Sequence, residues 1–220
     1  MISPQRWQPG GGRRAFTLIE IVAVIAVLVI LMVAGVSLIG GTANAARKTA
    51  ADTLAGMIEQ ARTAAITSRS YVVLAVAEPG DLPAGDSRCR IGLFKVKPEQ
   101  WPDNISDPVP AVLMSRWRIL ENGVVLIGGE VDGLQNPLSS DELTLNYGAN
   151  NRSVKAHAIA FNPRGGLHHP VGSNPIAMRV AEGGYRNGVA TPNRRADSNA
   201  IPENRLKIGR VTARPYRIDG

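Results

Sequence analysis

The chain has 220 residues, with 44% hydrophobic, 20% charged and only 5% aromatic residues, enough apolar material for one modest packed domain plus a further segment. Net charge is +7, but Arg6, Arg13 and Arg14 all lie in the first 15 residues; without these, 22 basic residues face 18 acidic ones, or +4. The remaining basic residues are scattered, with no Lys/Arg tract and no interleaved aromatics, so no nucleic-acid partner is expected. Cys89 is the only cysteine, which excludes an intrachain disulfide and a cysteine metal cluster.

The first predicted element is an apolar helix. Ile21 to Ile39 holds 19 residues without a charge; as a helix it rises about 28 Å, close to the hydrocarbon thickness of a bilayer. Arginines precede it, and only Arg47 and Lys48 follow closely, a bias that keeps the amino terminus in the cytoplasm. A plain anchor explains the length of this run but not Glu20, a carboxylate at its start, whose burial in lipid is costly without a partner. A secretory signal peptide, cut near Ala43-Asn44-Ala45, calls for a shorter apolar region without an acid at its start.

The stretch from Gly12 to Glu20, "GRRAFTLIE", followed by that run, resembles the prepilin signature of type IV pilins and pseudopilins. The resemblance implies a leader, residues 1–15 with Arg13 and Arg14 as its basic residues, cut by a prepilin peptidase between Ala15 and Phe16. Ala15 stands where the family usually has Gly. The resemblance further implies N-methylation of Phe16, a helix held in the inner membrane until assembly, and Glu20 as the fifth mature residue. A single buried polar group sets the register of otherwise featureless apolar helices, because only one arrangement satisfies it. The partner that the family supplies for Glu20 is the amine of Phe16, with the Thr17 hydroxyl joining the cluster.

Residues 42–70, "TANAARKTAADTLAGMIEQARTAAITSRS", are Ala-rich and proline-free. Leu54, Met57, Ile58, Ala61 and Ala65 recur at helical spacing, so the helix is expected to continue and bury this stripe against a head. Gly35, Gly40 and Gly41 are its expected weak points. The domain plan is a leader (1–15), a transmembrane and assembly helix (16–40), its amphipathic continuation (41–70) and a β-rich head (71–220).

From Tyr71 the period changes to that of strands, predicted at 71–77, 89–96, 111–120, 123–127, 142–147, 156–161, 175–181 and 205–218, with Gly, Pro and Asn turns between them. With no long helix intervening, the expected fold is α+β: a long amino-terminal helix packed on an antiparallel sheet or sandwich. Residues 182–204 read as a long surface loop. Three stretches, "LAGMIEQARTAAITSRSYVVLAV" (54–76), "IAFNPRGGL" (159–167) and "IGRVTARPYRI" (208–218), are similar to the GspH/FimT group of minor pseudopilins.

Catalytic constellations are absent. His168-His169 has no evident third and fourth ligand and reads as a turn with exposed imidazoles. "GGEVDG" (128–133) has too few ligands for calcium, and Cys89 reads as a buried strand residue. The expectation is a non-enzymatic pilin-like subunit without metal or cofactor, at or near the tip of a type II secretion pseudopilus or type IV pilus. Its partners would be the prepilin peptidase, other pilins or pseudopilins, and the inner membrane, with the head in the periplasm. The competing expectation is a membrane-anchored periplasmic binding module that never polymerises.

Overall fold

A computed structural model of the protein describes residues 18–79, 81 and 88–218, leaving out the side chains of residues 29–43. Helix α1 runs Leu18–Ser68, and the chain divides into two units between Gly41 and Thr42. In the first unit the described backbone is helical and the large apolar side chains from Leu18 to Leu28 are 52–82% exposed. Among the described residues no helix is long and apolar enough to cross a membrane. The expected span, residues 16–40, lies partly outside them, as do the leader, Phe16 and Thr17.

The second unit is α+β. The Ala-rich sequence of α1 favours helix, and the expected stripe is its core face: Ala50, Ala51, Leu54, Met57, Ile58, Ala61 and Ala65 are all buried. The helix ends in a Schellman motif. Arg69 takes a positive φ of 48°, its N–H donates to Ile66 O, and Ser70 N–H donates to Ala65 O.

That cap turns the chain directly into β1 (Tyr71–Ala77), followed by β2 (Arg90–Val96), β3 (Val109–Leu113), β4 (Arg118–Ile119), β5 (Val124–Ile127) and β6 (Glu142–Tyr147). Then come β7 (Arg152–Phe161), β8 (Leu167–His169), β9 (Ile176–Arg186), β10 (Val189–Pro192), β11 (Glu203–Ile208) and β12 (Pro215–Ile218). In the first sheet β1 pairs with β2, β2 with β3, β3 with β6, β6 with β7, and β7 again with β1, so these strands close a ring. The ring explains why "YVVLAVA" is apolar on both faces. Val73, Ala75 and Ala77 pack inside with Phe94, Leu143, Leu145 and Val154, while Val72, Leu74 and Val76 pack against α1.

In the second sheet β9 is central, pairing with β5, β10 and β11, and β12 lies on β11. Its inner residues, among them Met178, Val180, Leu206 and Ile208, join the same core cluster as α1, so the buried stripe of the helix packs against residues of both sheets while its opposite face, with Asp52, Gly56, Gln60 and Thr63, is exposed. A large-to-small substitution at Leu54, fully buried there, costs about 2–5 kcal/mol.

The expected β-rich, helix-packed head is present, with four corrections. The predicted strand 111–120 is two short ones, because Trp117 folds back over Gly92, where a Cβ would lie 3.0 Å from its ring, and stacks edge-on with Phe94 at 5.4 Å. The sheet is not wholly antiparallel: β3 and β6 run parallel, the pairing that closes the ring. Residues 182–204 are not a continuous loop. β9 extends to Arg186 and returns as β10 through a two-residue turn, Asn187-Gly188, both at positive φ as a primed hairpin turn requires. Residues 205–218 are two strands forming a hairpin, with Ile208 opposite Pro215.

Candidate functional site

Of the residues that the prepilin resemblance singles out, only Glu20 is described. It lies in the first turn of α1, exposed, where a carboxylate favours the positive end of the helix dipole. Arg13, Arg14, Ala15, Phe16 and Thr17 lie outside the described residues, so their expected cluster with Glu20 does too.

The head carries a second site, a cleft of about 430 Å³ built by three segments far apart in sequence. The first is the turn after β2: Pro98–Gln100 forms one turn of 3-10 helix, and Trp101 and Ile105 follow on the cleft wall. The second is the turn Pro137–Ser139, fixed by Asn136. Asn136 is buried; its Nδ2 donates to Ile127 O at 2.8 Å and its Oδ1 accepts from Leu138 N at 3.0 Å. Ser139, Ser140 and Asp141 follow on that wall.

The third segment is β8 and the residues after it. Leu167 and His169 face Phe161 and Ala160 of β7, with a register shift between them that leaves His168 as the extra residue of a bulge. His168 is thus turned onto the aromatic wall, 4.5 Å from the Tyr71 ring and 4.7 Å from Trp101, while Tyr71 and Trp101 lie 5.0 Å apart. His169 is 7% exposed, and its Nε2 has no hydrogen-bond partner. Burial holds both imidazoles below the usual histidine range; for His169 the neighbouring His168 and Arg210 add to this and Asp141 opposes it. The expected turn with two exposed imidazoles is therefore wrong: one ring is stacked and the other buried. The signal available in the sequence was the flanking "GGLHHP", in which alternate residues of a short strand must face inwards.

Arg210, from the β11–β12 connection, braces this segment from behind. Its Nε donates to Asn174 O, its Nη1 to Pro170 O and its Nη2 to Gln135 Oε1.

The other sequence candidates are structural. Cys89 is buried, and desolvation pushes its thiol up to about 12, so it is no nucleophile. "GGEVDG" is a turn with Asp132 at positive φ, its carboxylate paired with Arg205 at 3.3 Å. Among the described residues no group of three or more His, Cys, Asp or Glu is placed to hold a metal.

A helix whose buried stripe packs against both a closed strand ring and a second sheet defines the class: an α+β head built on one helix. Residues 50–200 match the GspH family, described as type II transport protein GspH, and the chain belongs to that family. No curated protein and no solved structure matches the chain.

Proposed function

We propose that the protein is a structural minor pseudopilin. A prepilin peptidase removes residues 1–15, cutting between Ala15 and Phe16 and methylating Phe16. The apolar helix, 16–40, holds the subunit in the inner membrane with the head in the periplasm. From there it enters, or caps, a type II secretion pseudopilus or type IV pilus, its helix bundled with those of other pilins or pseudopilins. The observation that carries this reading is the GspH match across the head. It is supported by "FTLIE" and by Glu20 in the first turn of α1.

Assembly asks for two properties from one helix. The part buried in the head, from Ala50 to Ala65, needs side chains that lock to their own domain. The part before it needs side chains that any neighbouring apolar helix accepts, plus one polar group to choose the register. Both properties are written along α1, the first in its buried stripe and the second in the apolar run after Glu20.

Mass spectrometry of the mature chain purified from membranes tests the proposal. An N-methylated Phe16 terminus is expected. An intact Met1 or a terminus at Ala46 would overturn it, leaving a membrane-anchored periplasmic binding module that does not polymerise.

A further inference from the structure

The cleft beside β8 has a chemistry that assembly through a helix does not use. Its described lining holds no lysine or arginine, and its two formal charges are the carboxylates of Asp103 and Asp141. Both are exposed and disfavour a phosphate or carboxylate ligand, and the cation adjoining the wall, Arg210, is engaged by the wall itself. Arg210 donates from its three nitrogens to Asn174 O, Pro170 O and Gln135 Oε1.

The cleft holds both hydrogen-bond donors and acceptors. Ser139 Oγ accepts from Gly129 N at 2.8 Å, which leaves its hydroxyl hydrogen to donate. Ser140 Oγ donates to Pro137 O at 2.5 Å, which leaves its lone pairs to accept. Gln135 Oε1 is turned to Arg210, which leaves the amide hydrogens as donors, while Asp103 and Asp141 only accept. A cationic side chain needs acceptors alone, and the donors would be wasted on it. A hydroxyl is donor and acceptor at once, and vicinal hydroxyls present both at close spacing. Trp101 lines the same cleft, half-buried and packed against Tyr71 and His168. A rigid indole face suits the C–H-rich face of a pyranose and loses little entropy on contact.

We propose that the cleft formed by Trp101, Gln135, Ser139, Ser140, Asp141 and His168 binds a neutral sugar ring of a glycan. Its volume of about 430 Å³ is in the range that takes a small ligand. The convergence of three loops at one end of a rigid β scaffold is where such sites are built. The inference stands independently of whether the chain assembles.

The full-length chain in detergent micelles is titrated calorimetrically with a panel of neutral mono- and disaccharides (glucose, galactose, mannose, N-acetylglucosamine and their β-linked dimers) and with N-acetyl-lysine amide. At least one sugar is expected to bind saturably, with an affinity that does not change between low and high salt. Trp101→Ala and Asp141→Asn should each weaken it tenfold or more while thermal unfolding stays close to wild type. Asp141 is exposed, so that variant remains a test even if removal of Trp101 disturbs the wall. Silence across all the sugars overturns the proposal. So does salt-sensitive binding of the lysine derivative alone, which would make this a site for basic peptides, and so does sugar binding that both variants leave unchanged.

Discussion

Arg47 Nη1 lies 2.9 Å from Glu182 Oε1, so a side chain near the start of the head's part of α1 is tied to the long central strand of the second sheet. The same guanidinium donates from Nη2 to Asn44 Oδ1 at 2.9 Å. Both partners are largely shielded, at 12% and 18% side-chain exposure, so removing one leaves the other with a poorly solvated charge. Arg47→Ala is expected to destabilise the head by about 1–2 kcal/mol, and Glu182→Ala by a similar amount. The double variant should cost less than the sum of the two, which a double-mutant cycle of thermal unfolding reads directly. Strict additivity would show that the pair contributes nothing.

Gly183 and Gly184 are neighbours in β9 with opposite tolerances. A Cβ at Gly183 would lie 2.4 Å from Thr191 O and 2.8 Å from Pro192 Cα, both backbone, whereas a Cβ at Gly184 meets nothing within 4 Å. Gly183→Ala should push β10 off β9 and cost about 1–3 kcal/mol, while Gly184→Ala should be near neutral. Hydrogen exchange at Val189 and Thr191 separates the two outcomes. Equal protection in both variants would mean that β10 is not held as described.

This hairpin also marks where the sequence misleads. Residues 182–192 carry Tyr185 and Val189 as their only large apolar side chains, with no apolar alternation, because β10 is an edge strand with no buried residue and needs none. The pairing is encoded in two places outside hydropathy: Asn187-Gly188 for the turn and Gly183 for the close approach. Where both faces are buried, as in Tyr71–Ala77, or one helix stripe is, as in Leu54–Ala65, hydropathy alone was enough. Ring closure was not legible, because parallel pairing of Val109–Ala111 with Leu145–Tyr147 depends on the path of the connection rather than on the residues paired. The cleft was half legible. His168-His169 stood out, but its companions Trp101 and Asp141 are far away in sequence, and only the fold brings them together.

His168 and His169 predict a pH dependence. Burial depresses both below the usual 6.5, so from 6.5 downward the unfolded chain binds protons that the folded chain resists. Their contribution to stability is intact above 6.5 and is lost as pH falls towards the depressed folded values. Glu78 and Asp81, raised by desolvation, act in the opposite sense nearer the carboxylate range: as pH rises through their folded values, stability is lost. His168→Phe keeps an aromatic ring against Tyr71 and Trp101 but removes one titration. The fall in melting temperature just below pH 6.5 should be shallower in that variant. An unchanged slope would place the titration elsewhere.

Asn136 is one of few buried polar side chains among the described residues, and it serves two backbone groups, Ile127 O and Leu138 N. Asn136→Ala strands both and should cost about 2 kcal/mol or more. It also frees the turn that carries Ser139 and Asp141, so the cleft should loosen before the core does. Asn136→Asp retains the acceptor for Leu138 but leaves Ile127 O without its donor. Its cost should therefore depend on pH, smaller where the introduced acid is protonated. Equal stability of the Ala variant and wild type would show that water replaces both hydrogen bonds.

Glu20 is the residue on which the proposed assembly turns. It lies in the first turn of α1 and is exposed within the single chain. A carboxylate among apolar helices is costly in lipid, and a register that brings it a cationic partner from a neighbouring helix is favoured. On the proposed processing, that partner is the amine that cleavage before Phe16 creates. Glu20→Ala removes the group that selects the register while leaving the cut itself untouched. The variant is expected to be cleaved and methylated like wild type, to accumulate in the inner membrane, and to be depleted in sheared filaments or crosslinked tip complexes. Glu20→Gln retains shape and hydrogen bonding without charge, so it should fall between the two if the amine supplies an ion pair and match wild type if it supplies only a hydrogen bond. Normal incorporation of Glu20→Ala would remove the carboxylate from the assembly mechanism and leave the apolar run as an anchor alone.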